Sequence, residues 1–284
     1  MTIIECPRDA MQGISSFIPT KIKIAYLNQL LKVGFHTLDC GSFVSPKAVP
    51  QMQDTAAVLE GLILEESDTK ILIIVGNVRG AREASLFPHI SYLGFPFSLS
   101  DTFQLRNTNK STQEALEIAG SIQNICTING MDMVCYLSMG FGNPYGDPYS
   151  EEIVMEYIEK LKASGIKIFS LADTIGTASV AQVYQLYTKV KEHFPDIELG
   201  VHLHSTVEKA ADKVEAAYFA GCTRFDGALN GYGGCPMAND ELVGNIATEK
   251  IIEVLEGKGN NLKLDKSSLS AALNLAQEVF SDYK

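Results

Sequence analysis

Apolar and polar positions along the chain fall into two alternating kinds of segment. One kind is short and rich in aliphatic and β-branched residues. It recurs near 2–6, 35–40, 70–76, 90–98, 132–138, 167–171, 198–203 and 223–227. Several of these runs, such as Ile71 to Val75 and Met133 to Leu137, are almost unbroken, as expected for parallel strands covered on both faces. Between them lie stretches with apolar residues every three or four positions, the period of an amphipathic helix. Pro19 opens one such stretch. The clearest starts at Ser150, a capping residue, and stops at Gly165, a residue suited to a helix end. Eight strand–helix units in one chain predict a closed (β/α)8 barrel of the TIM type. An open doubly wound sheet is the alternative, but the turn after its first strand would carry GxGxxG, and here it reads CPRDAMQG. The segment 263–282 predicts an extra C-terminal helix. No linker interrupts the pattern, so a single TIM-barrel catalytic domain is expected over 1–284.

Size agrees with that architecture: 284 residues lie close to the roughly 250 typical of one such barrel. No apolar run approaches the ~20 residues that cross a membrane, and residues 1–12 resemble neither a secretory signal nor a transit peptide. A cytoplasmic, complete chain with no membrane partner is expected. The net charge of −11 argues against a nucleic-acid partner, which would call for a basic excess. Six cysteines without a CxxC pair argue against both a disulfide framework and a zinc ribbon.

Chemistry in such barrels gathers at the C-terminal ends of the strands. There the chain places Arg8 and Asp9 after the first strand, Asp39 at the end of the second and Asp173 at the end of the sixth. His202 and His204 lie on the seventh strand, and NGYGGCPMANDELVGN follows the eighth. Residues i and i+2 of a strand share a face, so the two imidazoles can approach one ion. Alone, the pair is equally compatible with two ordinary, partly exposed histidines. With the oxygen of Asp9 added, the set suits Mg²⁺ or Mn²⁺. Arg8 is read either as a salt-bridge partner of Asp39 or Asp173, or as a fixed cation beside a developing oxyanion. Asp173 is read either as a helix cap or as an acid–base group. Cys235, set among glycines that permit movement, is the one thiol expected to be chemical. Cys6, Cys40, Cys126, Cys135 and Cys222 are expected to be buried and inert.

These residues carry a family likeness. ECPRDAMQ resembles the GPRDGLQ signature of the hydroxymethylglutaryl-CoA lyases, and SFVSPKAVPQM (42–52) resembles their SFVSPKWVPQM almost letter for letter. ADTIG (172–176), HLH (202–204), GGCPMA (233–238) and GNIATE (244–249) follow in the family's order. The RD and HxH elements belong also to the wider superfamily of metal-dependent aldolases and Claisen synthases. The SFVSPK and GGCP blocks are those of the lyase branch. The resemblance implies metal ligands Asp9, His202, His204 and Asn245, Arg8 as the cation that stabilises an enolate, and Cys235 as a mobile catalytic thiol. Gln12, Asp39 and Asp173 fall on further active-site positions, Gln12 and Arg8 facing substrate. Three departures stand out: Asp39 replaces the family's glutamate, HLHSTVEKA replaces HCHDTYGQA, and GFGNPYGDP (140–148) replaces a GCPYEG-type segment.

The resemblance implies retro-Claisen cleavage of 3-hydroxy-3-methylglutaryl-CoA, or a close 3-hydroxyacyl-CoA, to acetyl-CoA and acetoacetate. It implies a divalent metal, an acyl-CoA partner and a place in leucine catabolism. Asp39 and Asp173 remain alternatives for the base, and the sequence leaves a homo-oligomer open. One rival is a Claisen-type acyl-CoA/2-oxo acid synthase on the same scaffold, which would lack the GGCP thiol loop. The other is a non-catalytic metabolite-binding barrel, against which the intact RD, HxH, GGCP and GN set argues.

Overall fold

A computed structural model describes residues 1–234 and 243–283. Its strands are β1 (Thr2–Glu5), β2 (Thr37–Ser42), β3 (Lys70–Ile74), β4 (Ile90–Ser98), β5 (Asp132–Ser138), β6 (Ile168–Asp173), β7 (Glu198–Leu203) and β8 (Arg224–Gly227). Each pairs in parallel with its sequence neighbours, and β8 closes on β1, giving a barrel in the order β1 to β8. Every segment expected to be extended is a strand, and the ends shift by only one or two residues.

The helices are α1 (Pro7–Gln12), α2 (Thr20–Leu31), α3 (Thr55–Glu60), α4 (Val78–Ala84), α5 (Asp101–Thr108), α6 (Thr112–Asn129), α7 (Glu151–Ala163), α8 (Val180–His193), α9 (Val207–Phe219), α10 (Thr248–Gly257) and α11 (Lys266–Asp282). Local chemistry sets their limits. The Ser150 hydroxyl accepts from the Ile153 amide at the start of α7, and Gly165 after its end takes φ +92°, which a side chain resists. The extra C-terminal helix begins at Lys266, a turn later than the apolar pattern suggests. Asp265 caps it by accepting from the Ser268 amide, and Lys263 before it is left-handed at φ +55°. Among the described residues no helix is long and apolar enough to cross a membrane.

Two buried zones result. Between sheet and helices lies the main core, including Leu27 and Leu30 of α2, Val154 and Ile158 of α7, and Val183 and Val190 of α8, each burial contributing about 1.5–3 kcal/mol. Inside the barrel a smaller apolar cluster, Leu72, Ile74, Val134, Tyr136 and Ile168, fills the side of β3, β5 and β6. Charged groups occur in both zones. On the helix side, Glu5 accepts from the Leu229 amide (2.9 Å) and the Thr248 hydroxyl (2.5 Å). Burial nevertheless pushes its pKa up to about 8, against the lowering effect of those bonds.

Candidate active site

The mouth of the barrel is organised by α1, which starts immediately after β1. Pro7 sits in its first turn, where a missing N–H costs nothing, and the chain turns so that Arg8, Asp9 and Gln12 face one another. Arg8 is the hub. Its Nη1 donates to Asp9 Oδ1 (3.0 Å) and to Gln12 Oε1 (2.8 Å). Its Nε and Nη2 donate to Asp39 on β2, the shortest contact being Nη2 to Oδ2 at 2.6 Å. A guanidinium has five N–H donors. These bonds occupy four of them and leave one Nη2 hydrogen for an incoming oxygen. Asp39 is held in place by a strand irregularity: the β2–β3 register shifts between Asp39 and Gly41.

Asp9 receives three donors: Arg8, Gln12 Nε2 (2.9 Å) and Asn245 Nδ2 on its other oxygen (2.6 Å). Asn245 arrives through an isolated bridge to His204. Gly233 packs in the same corner at φ +93°, where a Cβ would come within 2.8 Å of Ala10 Cα and of Asn245 Nδ2. His202 and His204 share a face of the chain, as alternation requires, with their Nε2 atoms 3.3 Å apart. The His202 Nδ1 lies 3.3 Å from Asp226 Oδ2, while His204 Nδ1 is buried without a partner among the described residues.

Electrostatics follow from that packing. Burial pushes Asp9 upward, but Arg8 and the two histidines outweigh it and hold the carboxyl at about 2. At Asp39 burial wins over the attraction of Arg8, and the pKa rises to about 6. Burial and the neighbouring His202 lower His204 to about 4. Burial also lowers His202, but the bond to Asp226 dominates and the net direction is upward.

The donor set fits a divalent cation. One ligand atom each from Asp9, His202 and His204 lie within 4.8 Å of one another. Two imidazole nitrogens 3.3 Å apart can share at most one hydrogen, so at least one lone pair is turned toward the other ring. Neutral His204 and ionised Asp9 are the protonation states that ligation needs. Asn245 reaches the same place, but its nitrogen faces Asp9 and the Tyr232 carbonyl (3.0 Å), so ligation requires its oxygen to turn inward.

A cavity of about 270 Å³ opens above these groups. Arg8, Asp9, Gln12, His202 and His204 form its polar end, and Val49, Ile74, Pro96, Phe103 and Tyr136 form an apolar wall. Asn77 and Asn107 contribute amides to its lining.

Other expected site residues are placed differently. Asp173 lies on β6 and, like Asp39, is absent from the cavity wall. Its Oδ2 accepts from Lys213 of α9 at 2.7 Å, and both its oxygens approach the Ala178 amide. Lys213 also donates to the Gly176 and His204 carbonyls, so all three of its hydrogens are used. The altered segment 140–148 does not line the cavity either. Asp147 accepts from Ser100 Oγ and from the Thr102 amide and hydroxyl, anchoring the segment to α5. Phe103 and Asn107 of that helix line the cavity. Cys235 lies outside the described residues. The other five thiols are buried, as expected.

Sequence reasoning missed Lys213 and Asp226. Each had a signal. Lys213 falls on the buried stripe of α9 beside Ala210, Val214 and Ala217, and Asp226 is a charge inside a core strand.

The HMGL-like family model matches residues 3–276. The hydroxymethylglutaryl-CoA lyase YngG of Bacillus subtilis is 37% identical over 268 residues, 94% of this chain and 88% of that protein. The mitochondrial hydroxymethylglutaryl-CoA lyase of Mus musculus is 32% identical over 89% of this chain and 77% of its own length. Among solved structures, an HMG-CoA lyase from Acinetobacter baumannii in complex with coenzyme A and 3-methylmalate superposes with a TM-score of 0.91 at 30% identity. That match covers 99% of this chain and 91% of the other.

Proposed function

The chain belongs to the HMGL-like family, and from that premise we propose that it is a divalent-metal-dependent carbon–carbon lyase. Its substrate in this reading is 3-hydroxy-3-methylglutaryl-CoA or a close 3-hydroxyacyl-CoA, cleaved to acetyl-CoA and acetoacetate. The observation that carries the proposal is the meeting of Arg8, Asp9, His202 and His204 at one end of a single cavity. The relatives' names supply the substrate class, and the neighbour solved with coenzyme A supports an acyl-CoA as ligand.

Asp9, His202 and His204, with Asn245 once its oxygen is turned in, are the residues that would hold Mg²⁺ or Mn²⁺. When bound, such an ion supplies Lewis acidity and a fixed attachment point for substrate oxygens. The remaining work falls to side chains. Asp39 takes the proton of the C3 hydroxyl, directly or through one water. The C2–C3 bond then breaks as C3 becomes a ketone, and the electron pair moves onto the acetyl thioester. The unused Nη2 hydrogen of Arg8 donates to the enolate oxygen, in a site that Asp9, Gln12 and Asp39 hold rigid beforehand. Cys235 delivers a proton to C2, completing acetyl-CoA. Asp39 is preferred to Asp173 because its partner Arg8 lines the cavity with a side-chain donor to spare, whereas Lys213, the partner of Asp173, spends all its donors on protein oxygens.

Protein stripped with a chelator should release no product from HMG-CoA. Addition of Mg²⁺ or Mn²⁺ should yield acetyl-CoA and acetoacetate in equal amounts. A His204→Ala protein with undiminished metal affinity and turnover would contradict the ligand assignment.

A further inference from the structure

Beneath His202, on the side away from His204, lies a second group of donors. Cys6, His202 and Asp226 each place one ligand atom within 4.8 Å of the other two. Cys6 is 1% exposed, and among the described residues its thiol makes one weak hydrogen bond, to the Ile4 carbonyl at 3.8 Å. Asp226 is 3% exposed. Its Oδ2 faces His202 Nδ1 at 3.3 Å, and its Oδ1 is buried with no hydrogen-bond partner among the described residues. Cys6 is also a departure in sequence, since the GPRDGLQ signature has glycine at that position.

We propose that Cys6, His202 Nδ1 and Asp226 form an inner site for a thiophilic divalent cation such as Zn²⁺, distinct from the outer site of Asp9, His202 and His204. The donor chemistry selects the ion. A thiolate, an imidazole and a carboxylate are a zinc set, whereas Mg²⁺ prefers oxygen. Binding displaces the Cys6 proton to solvent, and the thiolate and the Asp226 carboxylate together balance the two charges of the ion. Zinc bonds of about 2.0–2.3 Å require the three donors to draw together by about 1 Å.

The two sites share one ring, and that makes them exclusive. A neutral imidazole has one bare nitrogen. If His202 gives Nδ1 to the inner ion, its hydrogen sits on Nε2, the nitrogen that the outer site uses. Inner occupancy by Zn²⁺ therefore expels Mg²⁺ or Mn²⁺ from the outer site, and the chain carries a built-in inhibitory zinc site.

Co²⁺ tests this with a readout independent of turnover, because only a thiolate ligand gives it an intense near-ultraviolet charge-transfer band. The parent protein and Cys235→Ala should both show the band on titration with Co²⁺, and Cys6→Gly should not. Cys6→Gly restores the residue of the family signature, so its fold should be kept. In parallel, Zn²⁺ should displace Mn²⁺ from the parent protein, followed by electron paramagnetic resonance, and Cys6→Gly should need at least about tenfold more, or about 1.4 kcal/mol. Absence of the band from the parent protein, or its survival in Cys6→Gly, overturns the proposal. Equal displacement of Mn²⁺ in the two proteins overturns the exclusion.

Discussion

Arg8–Asp39 and Lys213–Asp173 are both buried ion pairs at the C-terminal end of the strands, with closest contacts of 2.6 and 2.7 Å. Their surroundings differ. The first lies inside the barrel mouth, and its Arg8 keeps one donor unspent and borders a cavity. The second lies between barrel and helices, and Lys213 spends all three donors on Asp173, Gly176 and His204. A buried charge pair that is fully satisfied by protein holds elements in place, whereas one with a spare donor beside open space can act on a ligand. The comparison separates support from chemistry where residue type alone could not. Lys213 also shows how the helix-side pair supports the barrel mouth, since it donates to the carbonyl of His204.

The largest effect is expected on the outer pair. Lys213→Met strands the Asp173 carboxylate and should destabilise the fold by about 3–5 kcal/mol in denaturant unfolding. The double substitution Lys213→Met/Asp173→Leu removes both charges and should recover most of that loss. If the single variant unfolds like the parent protein, the outer pair is not a clamp.

Next in size is Arg8→Gln, which should lose roughly 10²–10³-fold in kcat, as removal of an oxyanion donor does. Steady-state kinetics with HMG-CoA checks it, and near-parent turnover would place the chemistry elsewhere.

A pH-dependent effect concerns Glu5, a buried carboxylate on the helix side. Its pKa is about 4.5 in the unfolded chain and about 8 when folded, so the native state holds the proton longer. Its stabilising contribution is full below pH 4.5 and is lost as pH rises toward 8, with a slope of at most about 1.4 kcal/mol per pH unit. Glu5→Gln should flatten that part of the stability profile, measured as unfolding midpoints across the same window. An unchanged profile would mean that Glu5 ionises normally.

Much of this was legible before any coordinates. All eight strands followed from apolar runs, because a parallel strand buried on both faces leaves a near-continuous signal. His202, His204, Arg8 and Asp9 were legible because short spacings survive folding unchanged: i, i+2 on a strand and adjacent residues at a helix start. The choice between Asp39 and Asp173 was not. Both stand at the ends of strands apolar on both faces, so the sequence pattern did not say which face turns inward. Asp39 lies opposite to Leu38 and Cys40, which face the helices, whereas Asp173 shares the face of Phe169 and Leu171. Asp226 escaped notice, and Cys6 was read only as a buried, inert thiol, because their meeting under His202 is made by barrel closure between β1 and β8.

Single-turnover product analysis of the parent protein, Asp39→Asn and Asp173→Asn with HMG-CoA and Mg²⁺ tests the central claim most directly. The account predicts equal acetyl-CoA and acetoacetate from the parent protein, loss of cleavage in Asp39→Asn, and cleavage retained by folded Asp173→Asn. No cleavage by the parent protein, or an inactive but folded Asp173→Asn beside an active Asp39→Asn, would contradict it.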